Sequence, residues 1–206
     1  MMQFAHAHMS KVEGLEFYKL MGSGKGLGFN PLPDWSVYAI LQVWKSEQMA
    51  QQYFAGSLHQ RYIDHTQNIW TLYLENIAVK GTWSGGNPFT EQASKVPNKP
   101  LAIITRATIK TSQLYHFWKY VPSSQKGLAD NDGLIFTKGI GEIPLVQMAT
   151  FSLWQNEEKL KEFAYSGKAH KKAIELTRSR NWYSEEMFAR FQVLKTEGSW
   201  DDVSFS

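Results

Sequence analysis

The chain predicts an α+β fold: a tandem duplication of a ferredoxin-like β-α-β-β-α-β unit, with two antiparallel sheets packed as a barrel-like core and helices outside. Two observations carry this. The stretch Gly14-Leu15-Glu16-Phe17-Tyr18-Lys19-Leu20-Met21-Gly22 recurs as Gly133-Leu134-Ile135-Phe136-Thr137-Lys138-Gly139-Ile140-Gly141, both of the form G-L-x-F-x-K-x-x-G. Leu41-Gln42-Val43-Trp44-Lys45-Ser46-Glu47 is echoed by Phe151-Ser152-Leu153-Trp154-Gln155-Asn156-Glu157, and each copy closes on Gly-x-Trp, at Gly81-Thr82-Trp83 and Gly198-Ser199-Trp200.

In the first half, residues 1–86, Met2 to Met9 reads as the first helix. Nothing ahead of it reads as the opening strand, so the half is expected to be incomplete at its N-terminus. A start site placed too far downstream and a genuine loss of that strand both account for this. After Trp44 comes a helical stretch holding His59, then the closing strand. Residues 87–100, from Asn87-Pro88 to Pro97-Asn98-Lys99-Pro100, are turn-rich and read as a linker.

The second half, residues 101–206, shows the unit more fully. Leu101 to Ile109 is rich in Ile and Thr and predicts a strand. Ser112 to Val121 predicts a short helix stopped by Pro122. Leu134 to Gly139 and Val146 to Trp154 predict two more strands. Asn156 suits a helix cap, with Glu157 and Glu158 near the positive end of the helix that follows. Met187 to Lys195 predicts the last strand.

Composition narrows the chemistry. The 206 residues include 22 Lys plus Arg and 19 Asp plus Glu, a net charge of +3 with no basic run, which argues against a nucleic-acid partner. There is no cysteine, so disulfides, cysteine-ligated metal, iron–sulfur clusters and thiol catalysis are excluded. No apolar run approaches the ~18 residues of a membrane span, and the N-terminal residues lack a signal-peptide layout. A cytoplasmic location is expected. Eight Trp, nine Tyr and 12 Phe supply rigid apolar surface for a core or a flat ligand.

His170 is the most informative single residue. On a helix, His170, Ala173, Ile174 and Thr177 share one face, separated by Ser166-Gly167 from an upstream stripe of Leu160, Phe163 and Ala164. A neutral imidazole on an apolar face beside small residues suits axial ligation of a haem iron. A core histidine bonded to a backbone carbonyl fits the same spacing. His59 heads the equivalent pattern, but bulky Tyr62 replaces Ala173, so His59 is expected to be structural or to face the interface between the halves. His6, His8, His65 and His116 have no metal-site spacing. Arg106, mid-strand, needs an acidic partner, which a haem propionate, Glu142 or another carboxylate would satisfy. Gly22-Ser23-Gly24-Lys25-Gly26-Leu27-Gly28 fails the register of a phosphate loop. Its connection is nine residues longer than in the second half, which suits a mobile loop over a pocket mouth or a plain hairpin. Asp130-Asn131-Asp132-Gly133 reads as a turn.

Ordered blocks of sequence resemble the spheroidene monooxygenase family. They are Phe17-Tyr18-Lys19-Leu20-Met21-Gly22-Ser23-Gly24 with Pro33-Asp34-Trp35 and Tyr38-Ala39-Ile40-Leu41, then Arg106-Ala107-Thr108-Ile109 with Phe117-Trp118 and Val121-Pro122. Gly139-Ile140-Gly141-Glu142-Ile143-Pro144, Ala149-Thr150-Phe151-Ser152-Leu153-Trp154, Phe163-Ala164-Tyr165 with His170, and Trp182-Tyr183-Ser184-Glu185-Glu186-Met187-Phe188-Ala189-Arg190-Phe191 complete the set. The resemblance implies membership of the dimeric α+β barrel group, hence a possible homodimer. It implies a haem-dependent oxygenase that hydroxylates and then ketonises C2 of acyclic carotenoids with electrons from a ferredoxin-type donor. On that reading His170 is the iron ligand, Met148 or Met187 lines an apolar slot, and transient contact with the inner face of the membrane is expected. Two alternatives stay open: a cofactor-free oxygenase of the same group, and a non-catalytic protein binding haem or an apolar pigment.

Overall fold

A computed structural model of the chain describes residues 2–28, 30–90, 93–124, 131–166, 180–200 and 203. In chain order the elements are α1 (Met2–Met9), β1 (Leu15–Gly24), β2 (Pro33–Trp44), α2 (Glu47–Phe54), α3 (Ser57–Ile63) and β3 (Trp70–Gly81). They continue with β4 (Leu101–Ile109), α4 (Leu114–Ser124), β5 (Leu134–Ile143), β6 (Gln147–Trp154), α5 (Glu157–Ser166) and β7 (Tyr183–Gly198). The second half is a full β-α-β-β-α-β unit. The first lacks a counterpart of β4 among the described residues. One helical prediction needs correcting in its length: α4 runs through Pro122 to Ser124.

The duplication is visible in detail. Lys45 N–H donates to the Gly14 carbonyl and Gln155 N–H to the Gly133 carbonyl, both at 2.9 Å. Ser46 Oγ caps α2 through Met49 N–H (3.3 Å), and Asn156 Oδ1 caps α5 through Lys159 N–H (3.0 Å). Gly14 and Gly133 are glycines for the same reason: a Cβ at either would strike that capped helix, at Met49 and at Lys159. In the first half the helical stretch breaks at Gly56, the N-cap of α3.

The chain forms two compact units, each drawing on both halves of the repeat. One takes Met1–Leu20, Ile40–Tyr73 and Lys195–Ser206. Its core is Met9, Tyr53 and Tyr62, packed against Leu15, Leu20, Ile40, Trp44, Phe54 and Leu58. The other takes Met21–Ala39 and Leu74–Leu194 and carries most of the sheet. The sheet is antiparallel with strand order β2-β1-β5-β6-β4-β7-β3. Within the second half the order β5-β6-β4-β7 is that of a ferredoxin-like unit, with β4 central. β1 joins β5 over only two pairs, Gly22 with Gly141 and Ser23 with Ile140. β2 and β3, the strands that a counterpart of β4 would separate, are the sheet's edges.

Candidate functional site: two faces of the central strand

Residues directly opposite one another on antiparallel strands share a face. One such row crosses five strands: Ser23, Ile140, Ala149, Arg106 and Met187, all buried. The next rows on this face hold Lys138, Phe151, Ile104 and Ala189, then Phe136, Leu153, Ala102 and Phe191. No helix packs there among the described residues. The covering comes instead from the 82–90 segment. Phe89 meets Phe191 edge-on at 4.9 Å, and the Arg106 guanidinium lies 5.7 Å from the Trp83 ring centre. The start of the expected linker is therefore part of an apolar strap across the sheet.

Arg106 is 2% exposed and is paired within the chain. It bridges to Glu185 and lies 3.6 Å from Glu142. Trp83 Nε1 donates to the same Glu142 oxygen at 2.7 Å, and Gly85 N–H (2.7 Å) and Thr82 Oγ1 (3.1 Å) donate to Glu185. Burial pushes the Glu185 carboxyl up, but the Gly85 N–H and the Arg106 charge outweigh it and hold the acid lowered. Of the partners that the sequence left open for Arg106, the chain's own carboxylates are the ones present. The residue also lies on the face opposite α4 and α5.

The other face carries the helices. α4 packs at one end through Ile109, Phe117, Met148 and Trp182, with Trp118, Tyr120 and Tyr183 alongside. α5 packs at the other end through Ile103, Trp154 and Leu160, with Phe163 and Phe188. Between the two clusters lies the row Gly139, Thr150, Thr105 and Phe188. Thr105 is exposed although it stands in the middle of a central strand, and its direct neighbours Thr150 and Phe188 are only half-buried. Among the described residues the helix layer thus leaves a window over β4, floored by small side chains and walled by aromatic and aliphatic ones. Met148 borders this side, whereas Met187 lies on the strap side, so the two do not line one slot. Thr105 went unnoticed in the sequence; its signal was a polar residue interrupting the alternating apolar series Ile103, Ala107, Ile109.

His170 lies outside the described residues, as does Asp130. In sequence His170 follows four residues after the end of α5. His59 packs between Tyr53 and Phe54, with ring centres at 5.7 and 4.9 Å, and burial holds its pKa down; this is the structural role expected of it. His65 Nδ1 donates to the Arg61 carbonyl, and His6 meets the Tyr18 hydroxyl. His116 stands 3.5 Å from Arg180. Among the described residues no three His, Asp or Glu converge as a metal site. They thus offer a haem an apolar opening but neither a ligand nor a propionate partner. The Gly-rich segment is the loop of the β1–β2 hairpin, closed by Lys25 N–H to the Leu32 carbonyl at 2.9 Å. Asn131 Oδ1 accepts from Gly133 N–H, making the expected turn. A polar cleft of about 460 Å³, open to solvent, lies between Lys95, Pro97 and the start of α5 at Glu157 and Glu158, and its charged lining does not suit an apolar ligand.

No protein-family model matches the chain. Among solved structures it is similar to a protein of Lactobacillus acidophilus NCFM assigned as a monooxygenase, with TM-score 0.44 and 16% identity over 95% of this chain and 86% of that one. It is also similar to an anthrone oxidase-like protein, with TM-score 0.37 and 14% identity over 95% and 86%. Three curated relatives are much nearer in sequence, and all are named spheroidene monooxygenase. That of Rhodobacter capsulatus is 40% identical over 189 residues, covering 90% of this chain and 78% of the relative. That of Cereibacter sphaeroides is 38% identical, covering 90% and 58%. That of Rubrivivax gelatinosus is 31% identical, covering 91% and 72%. Identity at this level, sustained along nine-tenths of the sequence, shows that the chain belongs to the spheroidene monooxygenase family.

Proposed function

We propose that this protein is a carotenoid monooxygenase that oxygenates C2 of an acyclic polyene, first to the alcohol and then to the ketone. The observation that carries the reading is the 40% identity with a spheroidene monooxygenase over 90% of the chain. Each round takes one O2, two electrons and two protons, leaves one oxygen on carbon and releases the other as water. A second round on the same carbon gives a geminal diol, which loses water to the ketone. The electrons come from a ferredoxin-type donor.

The window over Thr105 supports entry of an extended apolar end. Gly139, Thr150 and Thr105 keep the floor shallow, while Phe117 and Met148 on one side and Leu160, Phe163 and Phe188 on the other supply apolar walls. Rigid rings hold such a ligand in one orientation and keep water from it. Haem, held by His170, is the proposed cofactor, and its support is the helical spacing of that residue together with the family. Bound there, haem would supply oxygen activation, without the thiolate donation that a chain lacking cysteine cannot give.

The test is expression in a host that makes acyclic carotenoids, with the pigments weighed by mass spectrometry. A gain of one oxygen, lost in Thr105→Trp, supports the reading; an unchanged profile across several carotenoids overturns it. A Soret band on reconstitution that disappears in His170→Ala supports the ligand, and failure of the protein to take up haem removes it.

A further inference from the structure

The second unit carries a patch that neither the core nor the site uses. Of the large apolar side chains exposed among the described residues, four fall in the β1–β2 hairpin: Leu27 (53% exposed), Leu32 (60%), Trp35 (76%) and Tyr38. Single exposed apolar side chains are ordinary, but four large ones within twelve residues of one hairpin are a concentration that calls for a partner. Its charges are one-sided. Asp34, at its base, is paired with Lys138 at 3.1 Å and accepts from the Ser36 hydroxyl at 2.6 Å. Lys25, at the turn, is exposed and has no ion-pair partner among the described residues.

We propose that this hairpin docks the protein on an anionic lipid surface, with Leu27 and Leu32 entering the apolar layer and Trp35 resting among the headgroups. The proposal deepens the carotenoid reading and rests on it for its purpose, since a polyene substrate dissolves in bilayers. Three features select lipid over a protein partner. Side chains three apart on a strand point to opposite faces, so Trp35 and Tyr38 make both faces of the edge strand apolar. A flat protein partner would cover one of them, whereas lipid surrounds both. Pro33 opens β2 and gives it no N–H there, which blunts the edge against pairing with another strand. At a rise of ~3.3 Å per residue Trp35 stands ~10 Å from Leu32, the depth over which a membrane passes from acyl chains to headgroups. Lys25 supplies the charge complementary to an anionic surface.

Flotation of the full chain with phosphatidylcholine–phosphatidylglycerol vesicles, against vesicles of phosphatidylcholine alone, tests this. The wild type is expected to float with the mixed vesicles and less with the neutral ones. Leu27→Ser with Leu32→Ser should weaken binding at least about tenfold, and Lys25→Glu by about tenfold or more. Leu194→Ser, at an equally exposed leucine (61%) on β7, should not alter it. A wild type that stays in the aqueous layer, or hairpin variants that float as well as the wild type, overturns the proposal. So does a dimer in sedimentation that the hairpin variants dissolve, which would assign the patch to a second copy. The vesicles hold no carotenoid, so the result stands even if no pigment is ever oxygenated. If pigment is oxygenated, the hairpin variants should keep turnover in detergent and lose it in vesicles.

Discussion

Trp83 Nε1 donates a 2.7 Å hydrogen bond to the oxygen of Glu142 that lies 3.6 Å from Arg106. One carboxylate therefore fastens the start of the strap and the buried cation together, and Glu185 does the same through Gly85 and Thr82. Glu185→Ala leaves the Arg106 charge short of a partner in the core. We expect a loss of about 3–5 kcal/mol in urea unfolding. Arg106→Met should lose less, because both carboxylates keep partial access to water. Neither variant, where folded, should change the haem affinity measured by titration; a drop specific to Arg106→Met would restore a propionate role.

The repeat was legible because its landmarks answer to geometry that each copy needs. Gly14 and Gly133 clear a helix, and Ser46 and Asn156 cap one. β4 could be bounded at Leu101 and Ile109 because Ile and Thr dominate the stretch and Lys110 follows it. The strap was not legible. Segment 84–100 reads as turns, and nothing local says that Trp83 and Phe89 will lie across a sheet, against Arg106 and Phe191 on two different strands. The partners of Arg106 were half-legible: Glu142 was a candidate, but Glu185 stands on β7, 79 residues from Arg106, a separation that only the fold closes. The window was illegible for the converse reason, since a gap between two helices leaves no mark except an unexpected threonine.

Thr105 tests the window. Its side chain is exposed, so Thr105→Trp meets no packed neighbour, and tryptophan is at home on a strand. Thermal unfolding should move by no more than about 1 kcal/mol. Carotenoid oxygenation should fall at least about tenfold, since the indole fills the space between the α4 and α5 clusters. Thr105→Val, which keeps the size, should retain turnover. A tryptophan variant with full activity would place the substrate elsewhere.

Gly81 and Gly198 close the two copies in the same way. Both have positive φ, 93° and 73°. A Cβ at Gly81 would be driven into the Glu186 carbonyl oxygen, and one at Gly198 into that of Ile69. The alternative conformations open to glycine are denied to alanine, and backbone cannot step aside as a side chain end can. Each Gly→Ala variant should lose about 2 kcal/mol or more in chemical unfolding. Gly85→Ala is the control: its φ is also positive, at 80°, but no atom lies near a Cβ there, so it should lose less.

Asp34 gives the molecule a defined response to acid. The Ser36 hydroxyl and the Lys138 ammonium hold its carboxyl down at about 2, against an ordinary 3.8. In the unfolded chain the proton binds at the ordinary value. Between those two values the unfolded state binds more protons than the folded one, so stability rises with pH there. The contribution is complete above about pH 4 and is lost as pH falls toward 2. Because the pair is partly open to water, its worth is about 1 kcal/mol. Urea midpoints measured from pH 5 to pH 2 should therefore fall less steeply in Asp34→Asn than in the wild type, the two curves converging at the acid end. Lys138→Met should flatten the curve only in part, since the Ser36 hydroxyl remains on the carboxylate. Parallel curves for all three proteins would mean that the bridge seen between β2 and β5 contributes nothing in solution.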